Sequence, residues 1–368
     1  MAAERGRTAL AEPDRLEGFS PPREVDRLFG HEAALREFAD AFESGRMHHA
    51  WLLVGPEGIG KATLAYSLAR WVLAEGNHGR EAIDRDHPVF RKVAALSHPN
   101  LLLIRRSWND KSKRYSQWIG VEEIRRLRAF LGHSAGEGAW RVIIVDRADE
   151  LNQNAANALL KTLEEPPIKT LFLLISSAEG RLPVTIRSRA RILRVAALGA
   201  ADLEKAVKAA LARDGHEVDA DTLVTALALS QGSVRRALEL VASEGIELYG
   251  EIAAALAALP DLESMRLHRT VERLAGSTDT ERLDLYLALL LGLIERLIRF
   301  TATGEGATQQ EQRLASGLIS PANLANWAEA WEAISEARAE AFALNLDRSL
   351  LVLETWFRLQ AIAREHPI

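Results

Sequence analysis

Gly55-Pro56-Glu57-Gly58-Ile59-Gly60-Lys61-Ala62 decides the reading of this chain. The spacing is that of a phosphate-binding loop, complete except at its last position, where a serine or threonine hydroxyl would hold magnesium. The apolar run Trp51-Leu52-Leu53-Val54 precedes the loop and the helix-like stretch Thr63-Leu64-Ala65-Tyr66-Ser67-Leu68-Ala69 follows it. This is the strand-loop-helix setting that the motif needs. Gly55, Gly58 and Gly60 let backbone N–H groups turn inward as a cradle at a helix N-terminus, and Lys61 supplies a point charge to the β and γ phosphates. Ala62 offers no ligand atom. Thr63 carries a hydroxyl, but one position further along a helix it points about 100° away and substitutes poorly. The loop predicts weak or vestigial binding of ATP or ADP, with magnesium-dependent hydrolysis impaired.

A second buried strand should carry the other half of the chemistry, and Arg141-Val142-Ile143-Ile144-Val145-Asp146 supplies one. Asp146 ends this β-branched run where a magnesium-organising aspartate belongs. Alone, its alternative is a strand-end carboxylate capping a turn; pairing it with Lys61 further favours the nucleotide reading. A self-sufficient hydrolase would have a glutamate next in line to polarise water. Arg147 stands there instead and cannot accept a proton.

A chain of 368 residues has room for two or three domains. It contains no cysteine, which excludes disulfides, thiolate zinc sites and cysteine nucleophiles. The net charge of -5 means that any nucleic-acid contact must be a local basic patch. No apolar run is long enough to span a bilayer, and the start lacks the apolar core of a signal peptide, so a cytoplasmic protein is expected. Strand-like and helix-like segments alternate from about residue 28 to 195, with strands expected at 51–54, 101–105, 142–146, 171–176 and 192–195. That alternation predicts a parallel sheet covered on both faces. Beyond residue 196 the pattern is helical. Three domains are expected: an α/β domain over 1–196, a small helical lid over 197–245, and an all-α domain over 246–368.

Asn157-Ala158-Leu159-Leu160-Lys161-Thr162-Leu163-Glu164-Glu165-Pro166-Pro167, then Thr185-Ile186-Arg187-Ser188-Arg189-Ala190, with His48-His49-Ala50 ahead of the loop, resemble the clamp-loader ATPases of the AAA+ superfamily. The resemblance runs from about residue 28 to 239. It implies a RecA-like α/β P-loop domain, a lid and a collar that packs in a hetero-oligomeric ring. It further implies partners: ATP-hydrolysing motor subunits, a clamp-opening subunit, the sliding clamp and, through the complex, primed DNA. Many members carry a four-cysteine zinc module after the phosphate-loop helix. Here residues 75–100 hold His78, His87 and His98 without a thiolate, so no structural zinc is expected. Ala190 also stands where the family's Ser-Arg-Cys signature has cysteine.

The resemblance assigns Arg189 to the nucleotide of the neighbouring subunit, as an arginine finger acting in trans. A planar, permanently charged fork suits that task. The alternative is that Arg187, Arg189, Arg191 and Arg194 form a basic face. The resemblance likewise places Arg235 at the lid position that touches nucleotide phosphate, on a helix with Ser233 as N-cap; a solvated Arg235-Arg236 pair is the alternative. Ser176 and Ser177 fall where the family has a polar γ-phosphate sensor. Arg105, Arg106, Lys111, Lys113 and Arg114, interleaved with Trp108 and Tyr115, would suit DNA backbone contact, against a solvated hairpin. Trp118 and Trp140 read as packing residues. The function expected is that of a non-motor clamp-loader subunit assisting the loading of the clamp. The alternatives are an autonomous AAA+ ATPase, either a motor subunit or a branch-migration helicase, and a small-molecule phosphotransferase, for which the C-terminal third would have no task.

Overall fold

The computed structural model describes residues 12–13, 15–75, 83–109, 114–132, 139–243, 245–261, 270–272, 274, 280–344 and 347–365. The chain folds as two compact units, Met1–Glu239 and Leu240–Ile368.

In the first unit the strands are β1 (Ala50–Val54), β2 (Leu101–Ile104), β3 (Trp108–Asn109), β4 (Arg114–Tyr115), β5 (Arg141–Val145), β6 (Thr170–Ser176) and β7 (Arg191–Arg194). The helices are α1 (Glu32–Glu43), α2 (Lys61–Leu73), α3 (Pro88–Ala94), α4 (Val121–Gly132), α5 (Gln153–Glu164), α6 (Val184–Arg187), α7 (Ala200–Asp214) and α8 (Ala220–Leu229), and α9 (Val234–Ala242) begins in this unit and runs past its last residue, Glu239. Five strands form a parallel sheet in the order β2-β5-β6-β1-β7. The strands lie within a residue of the positions expected at each end.

Successive side chains of a strand point to opposite faces, and the sequence fills both faces with apolar groups. Trp51 and Leu53 of β1, with Leu171 and Leu173 of β6, pack against Phe38 of α1 and Leu64 and Leu68 of α2. Leu52 and Val54, with Phe172 and Leu174, pack against Ile124 and Leu127 of α4 and Leu159 and Leu163 of α5. At about 1.5–3 kcal/mol for each fully buried large side chain, this two-sided core anchors the sheet. Parallel strands end at one edge, so the segments after β1, β5 and β6 converge there. These segments are the phosphate loop, Asp146-Arg147 and Ser177.

The described strands β3 and β4 form a separate antiparallel pair in which Trp108 lies edge-on to Tyr115 at 4.9 Å. Trp108 is 39% exposed. Lys111 and Lys113, part of the stretch read either as suiting DNA contact or as a solvated hairpin, lie outside the described residues. Arg105 and Arg106 are each matched by a carboxylate, Glu12 at 3.2 Å and Glu150 at 2.8 Å, which offsets the basic character expected of this patch. Trp140 packs on Phe42 with ring centroids 5.8 Å apart, as expected. Trp118 does not: it is 47% exposed, because it sits in the bend just before Ile119, the residue that supplies the buried contact. His78 lies outside the described residues. His87 accepts from Val89 N–H to cap α3, and His98 accepts from Asn100 N–H, so both serve local turns.

In the second unit the described residues form helices, including Gly245–Ala257, Thr280–Thr303, Gln309–Leu318, Leu324–Leu344 and Arg348–Glu365. Trp327, Trp356 and Tyr286 centre the core, and Trp356 Nε1 donates to Tyr286 OH at 3.0 Å. Glu311 completes a capping box with Thr308 and is buried against Arg296 at 2.7 Å and the hydroxyl of Tyr249 at 2.7 Å. No described helix is long and apolar enough to cross a membrane.

Candidate nucleotide site

The phosphate loop runs from the end of β1 into α2, with Gly60 as the helix N-cap. Two of its glycines are imposed by close approach. A side chain at Gly55 would overlap the carbonyl of Val195, and one at Gly58 would overlap Ser233 Oγ and Arg235 Cβ. Gly58 also has φ 76°, in the left-handed region that side chains resist. The segment from Ser233 to Arg235 therefore rests directly on the loop, and Arg235 N–H donates to Gly58 O at 3.1 Å.

Lys61 is only 5% exposed. Its Nζ donates to Gly55 O at 2.8 Å, Pro56 O at 2.5 Å and Ser177 Oγ at 2.9 Å. Burial pushes its pKa down to about 8; Glu57, Asp149 and Asp146 pull it back up, and Arg147 lowers it further. All four charged groups are thus within electrostatic reach of the ammonium. Ser177 is held in turn by its N–H, which donates to the buried carboxylate of Asp149 at 3.2 Å. Of the two serines considered as a sensor, Ser177 is the one in contact with Lys61. Ser176 is fully buried at the end of β6.

Asp146 lies in the cleft with Lys61, Ala62 and Thr63. Arg147 follows it with φ 59°. Its Nε pairs with Glu150 at 2.9 Å and its Nη1 with Glu57, in the loop itself, at 3.2 Å. An arginine thus bridges the strand end and the phosphate loop. Among the described residues no group of three His, Asp or Glu side chains converges as a metal cluster.

Arg235 lines the same cleft and pairs through Nε with Glu239 at 2.7 Å. Burial pushes the Glu239 carboxyl above its ordinary pKa, and Arg235 opposes that shift. Ser233 caps α9, its Oγ accepting from Arg236 N–H at 3.3 Å.

The apolar lining of the cleft includes Leu16, Phe19, Pro22 and Leu28 together with Leu198, Ala206 and Ala210. These residues were not anticipated, since no local motif marks them. His31 was also missed: its ring Nε2 lies 2.9 Å from Ile59 O and braces the loop, and burial lowers its pKa. The one sequence signal for the Glu57–Arg147 pair was a carboxylate inside an anion-binding loop.

Arg189 is outside this cleft. It follows the short helix α6, is 36% exposed, and pairs with Glu164 at 2.8 Å while its Nη1 donates to Thr185 O at 3.1 Å. The other arginines of the alternative basic-face reading are paired as well. Arg191 reaches Glu37 at 2.8 Å, Arg194 reaches Glu179 at 3.1 Å, and Arg187 lies 4.0 Å from Glu179.

A family model described as DNA polymerase III, delta subunit, matches residues 30–199. The DNA polymerase III subunit delta' of Yersinia pestis is 30% identical over 280 residues, which cover 76% of this chain and 79% of that protein. The subunit delta' of Pseudomonas aeruginosa is 37% identical over 187 residues, 50% of this chain and 53% of that protein. The DNA polymerase III subunit gamma of Buchnera aphidicola is 28% identical over 221 residues, covering 60% of this chain and 58% of that protein. The chain thus spans less than two thirds of the length of the latter two. On the Yersinia match, sustained over most of both proteins, this chain belongs to the DNA polymerase III delta' family of clamp-loader subunits.

Proposed function

We propose that this chain is the delta' subunit of a replicative clamp loader: it binds nucleotide weakly, does not hydrolyse it, and supplies Arg189 to the ATP of a neighbouring motor subunit. Within a hetero-oligomeric ring, the α/β domain up to residue 196 acts as a rigid jaw opposite the clamp-opening subunit. Residues 197–245 form the lid, and 246–368 the collar that holds the ring. The complex opens the sliding clamp and places it on primed DNA in the cytoplasm. The observation that carries this reading is the contrast between two arginines. Arg147, which follows Asp146 where this reading expects a hydrolase's general base, is tied to Glu57 and Glu150, whereas Arg189 stands at the surface on a half-exposed pair. Ala62 removes the magnesium hydroxyl from the chain's own site. An autonomous ATPase, motor or helicase, would need both groups.

The test is reconstitution with gamma-type and clamp-opening subunits, reading ATPase activity stimulated by clamp and primed DNA. Arg189→Ala is expected to assemble normally, because its partner Glu164 is half exposed and such pairs contribute about 0–1 kcal/mol. The stimulated rate of the assembly should fall by about 10³ or more if the finger stabilises charge on the transferred phosphoryl group. Lysine should rescue poorly for lack of the bidentate fork. Arg194→Ala, an exposed arginine on the same stretch, is the control. Equal losses from both variants, or loss from neither, would sink the assignment.

A further inference from the structure

Magnesium is the cofactor that this loop architecture implies, and the residues present do not fit it. The ion demands near-octahedral oxygen coordination, to which the loop normally contributes a hydroxyl. Ala62 has none. The position beside Asp146 is occupied by a guanidinium, tethered through Nε to Glu150 at 2.9 Å. We propose that the loop binds a nucleoside polyphosphate without a divalent cation, Arg147 supplying beside Lys61 the positive charge that magnesium would bring. This rests on the loop being a nucleotide site, and it identifies the ionic form of the ligand.

The geometry supports such an exchange. Arg147 is permanently charged, and its planar fork can bond a phosphate oxygen as it bonds a carboxylate. The carboxylate of Glu57 supplies an anion to that fork at 3.2 Å, and Glu57 is 58% exposed. A phosphate oxygen can replace Glu57 while the Nε–Glu150 pair keeps the guanidinium in place. Lys61 likewise holds the loop carbonyls of Gly55 and Pro56, groups that a phosphate can displace. Asp146 would repel an uncompensated phosphate, and Arg147, its neighbour in the chain, offsets that repulsion. The loop thus carries its own counter-ions in both states.

The experiment is titration calorimetry of the full chain with ADP, once in excess EDTA and once in excess magnesium chloride. The expected Kd values agree within about twofold. In EDTA, Arg147→Ala should weaken binding by about tenfold or more, the loss of one charge-assisted contact. Glu57→Gln, an exposed change that leaves the fold untouched, should tighten binding by removing the competing anion. Binding at least about tenfold tighter with magnesium, or an Arg147→Ala variant indistinguishable from wild type in EDTA, would overturn the inference while leaving the loop a nucleotide site. No binding under either condition would remove the nucleotide reading itself, and this inference with it.

Discussion

If the loop takes a polyphosphate as proposed, the depressed pKa of Lys61 makes that binding depend on pH in a way that no ordinary lysine would. The free protein holds this ammonium with its pKa pushed from 10.5 down to about 8, chiefly by burial. A bound polyphosphate stabilises the charged form and returns the pKa to its usual range or above. Binding above pH 8 must therefore take up a proton, while below pH 8 the ammonium is already in place. Affinity is full below pH 8 and falls as pH rises through it. At pH 9.5 only about 3% of the free chains are protonated at Lys61, so ADP should bind about thirtyfold more weakly than at pH 7. Calorimetry in buffers of different ionisation enthalpy would read the proton uptake directly, approaching one proton per ADP near pH 9.5. Lys61→Arg is the control, because a guanidinium does not titrate in this range and its profile should be flat. A wild-type Kd that stays constant from pH 7 to 9.5 would mean that the buried ammonium does not meet the phosphates.

Two further changes test how the structure is held. Gly58→Ala adds a methyl group in the left-handed region, against Ser233 and Arg235. It should cost about 1–3 kcal/mol of the first unit's stability in urea and weaken ADP binding by lifting Arg235 from the loop. In the second unit, Arg296→Met leaves Glu311 charged and 1% exposed without its partner. A loss of about 3–5 kcal/mol is expected, and Arg296→Met with Glu311→Gln should recover part of it. Burial raises the Glu311 pKa, but Arg296, the Thr308 N–H and the Tyr249 hydroxyl outweigh it and hold the carboxyl below its usual 4.5. The stability so gained is present above the ordinary carboxylate range and disappears as pH falls through the depressed value. Melts from pH 6 to pH 3 should therefore show the wild type losing more than the double variant.

Much of the first unit was legible in the chain because its determinants are local. The apolar runs 51–54, 142–146 and 171–176 fill both faces of a parallel sheet, and a strand buried on both faces reads as a continuous apolar run. The loop between β1 and α2 carries its constraints in its own glycines. What escaped notice depends on groups far apart in sequence. Leu16, Phe19 and Leu28 reach the cleft because the segment before α1 is tied to distant helices, Ser20 N–H donating to Asp214 at 3.1 Å and Arg70 donating to Val25 O at 2.9 Å, and no periodicity encodes that. The alternative of a basic face over residues 187–194 arose because the carboxylates that pair with these arginines, Glu37, Glu164 and Glu179, lie elsewhere in the chain. Trp118 went wrong for the same reason, since an aromatic beside a strand-like run packs only if a facing element exists.

Solvent exposure, more than the presence of a partner, separates the arginines that can change partners from those that cannot. Arg296 and Glu311 are 4% and 1% exposed, and parting them would strand a charge in the core. That pair is a fixed strut of the second unit. Arg189 and Glu164 are 36% and 50% exposed, and Arg147 and Glu57 are 28% and 58% exposed. In such pairs water can solvate the released carboxylate, and the net contribution is about 0–1 kcal/mol. A charge-assisted contact to phosphate contributes about 1.5–3 kcal/mol, enough to draw either arginine from its resident glutamate. On the proposed function, the two exposed pairs would hold their arginines oriented at little cost until a phosphate arrives, at Arg147 from this chain's own nucleotide and at Arg189 from a neighbour's.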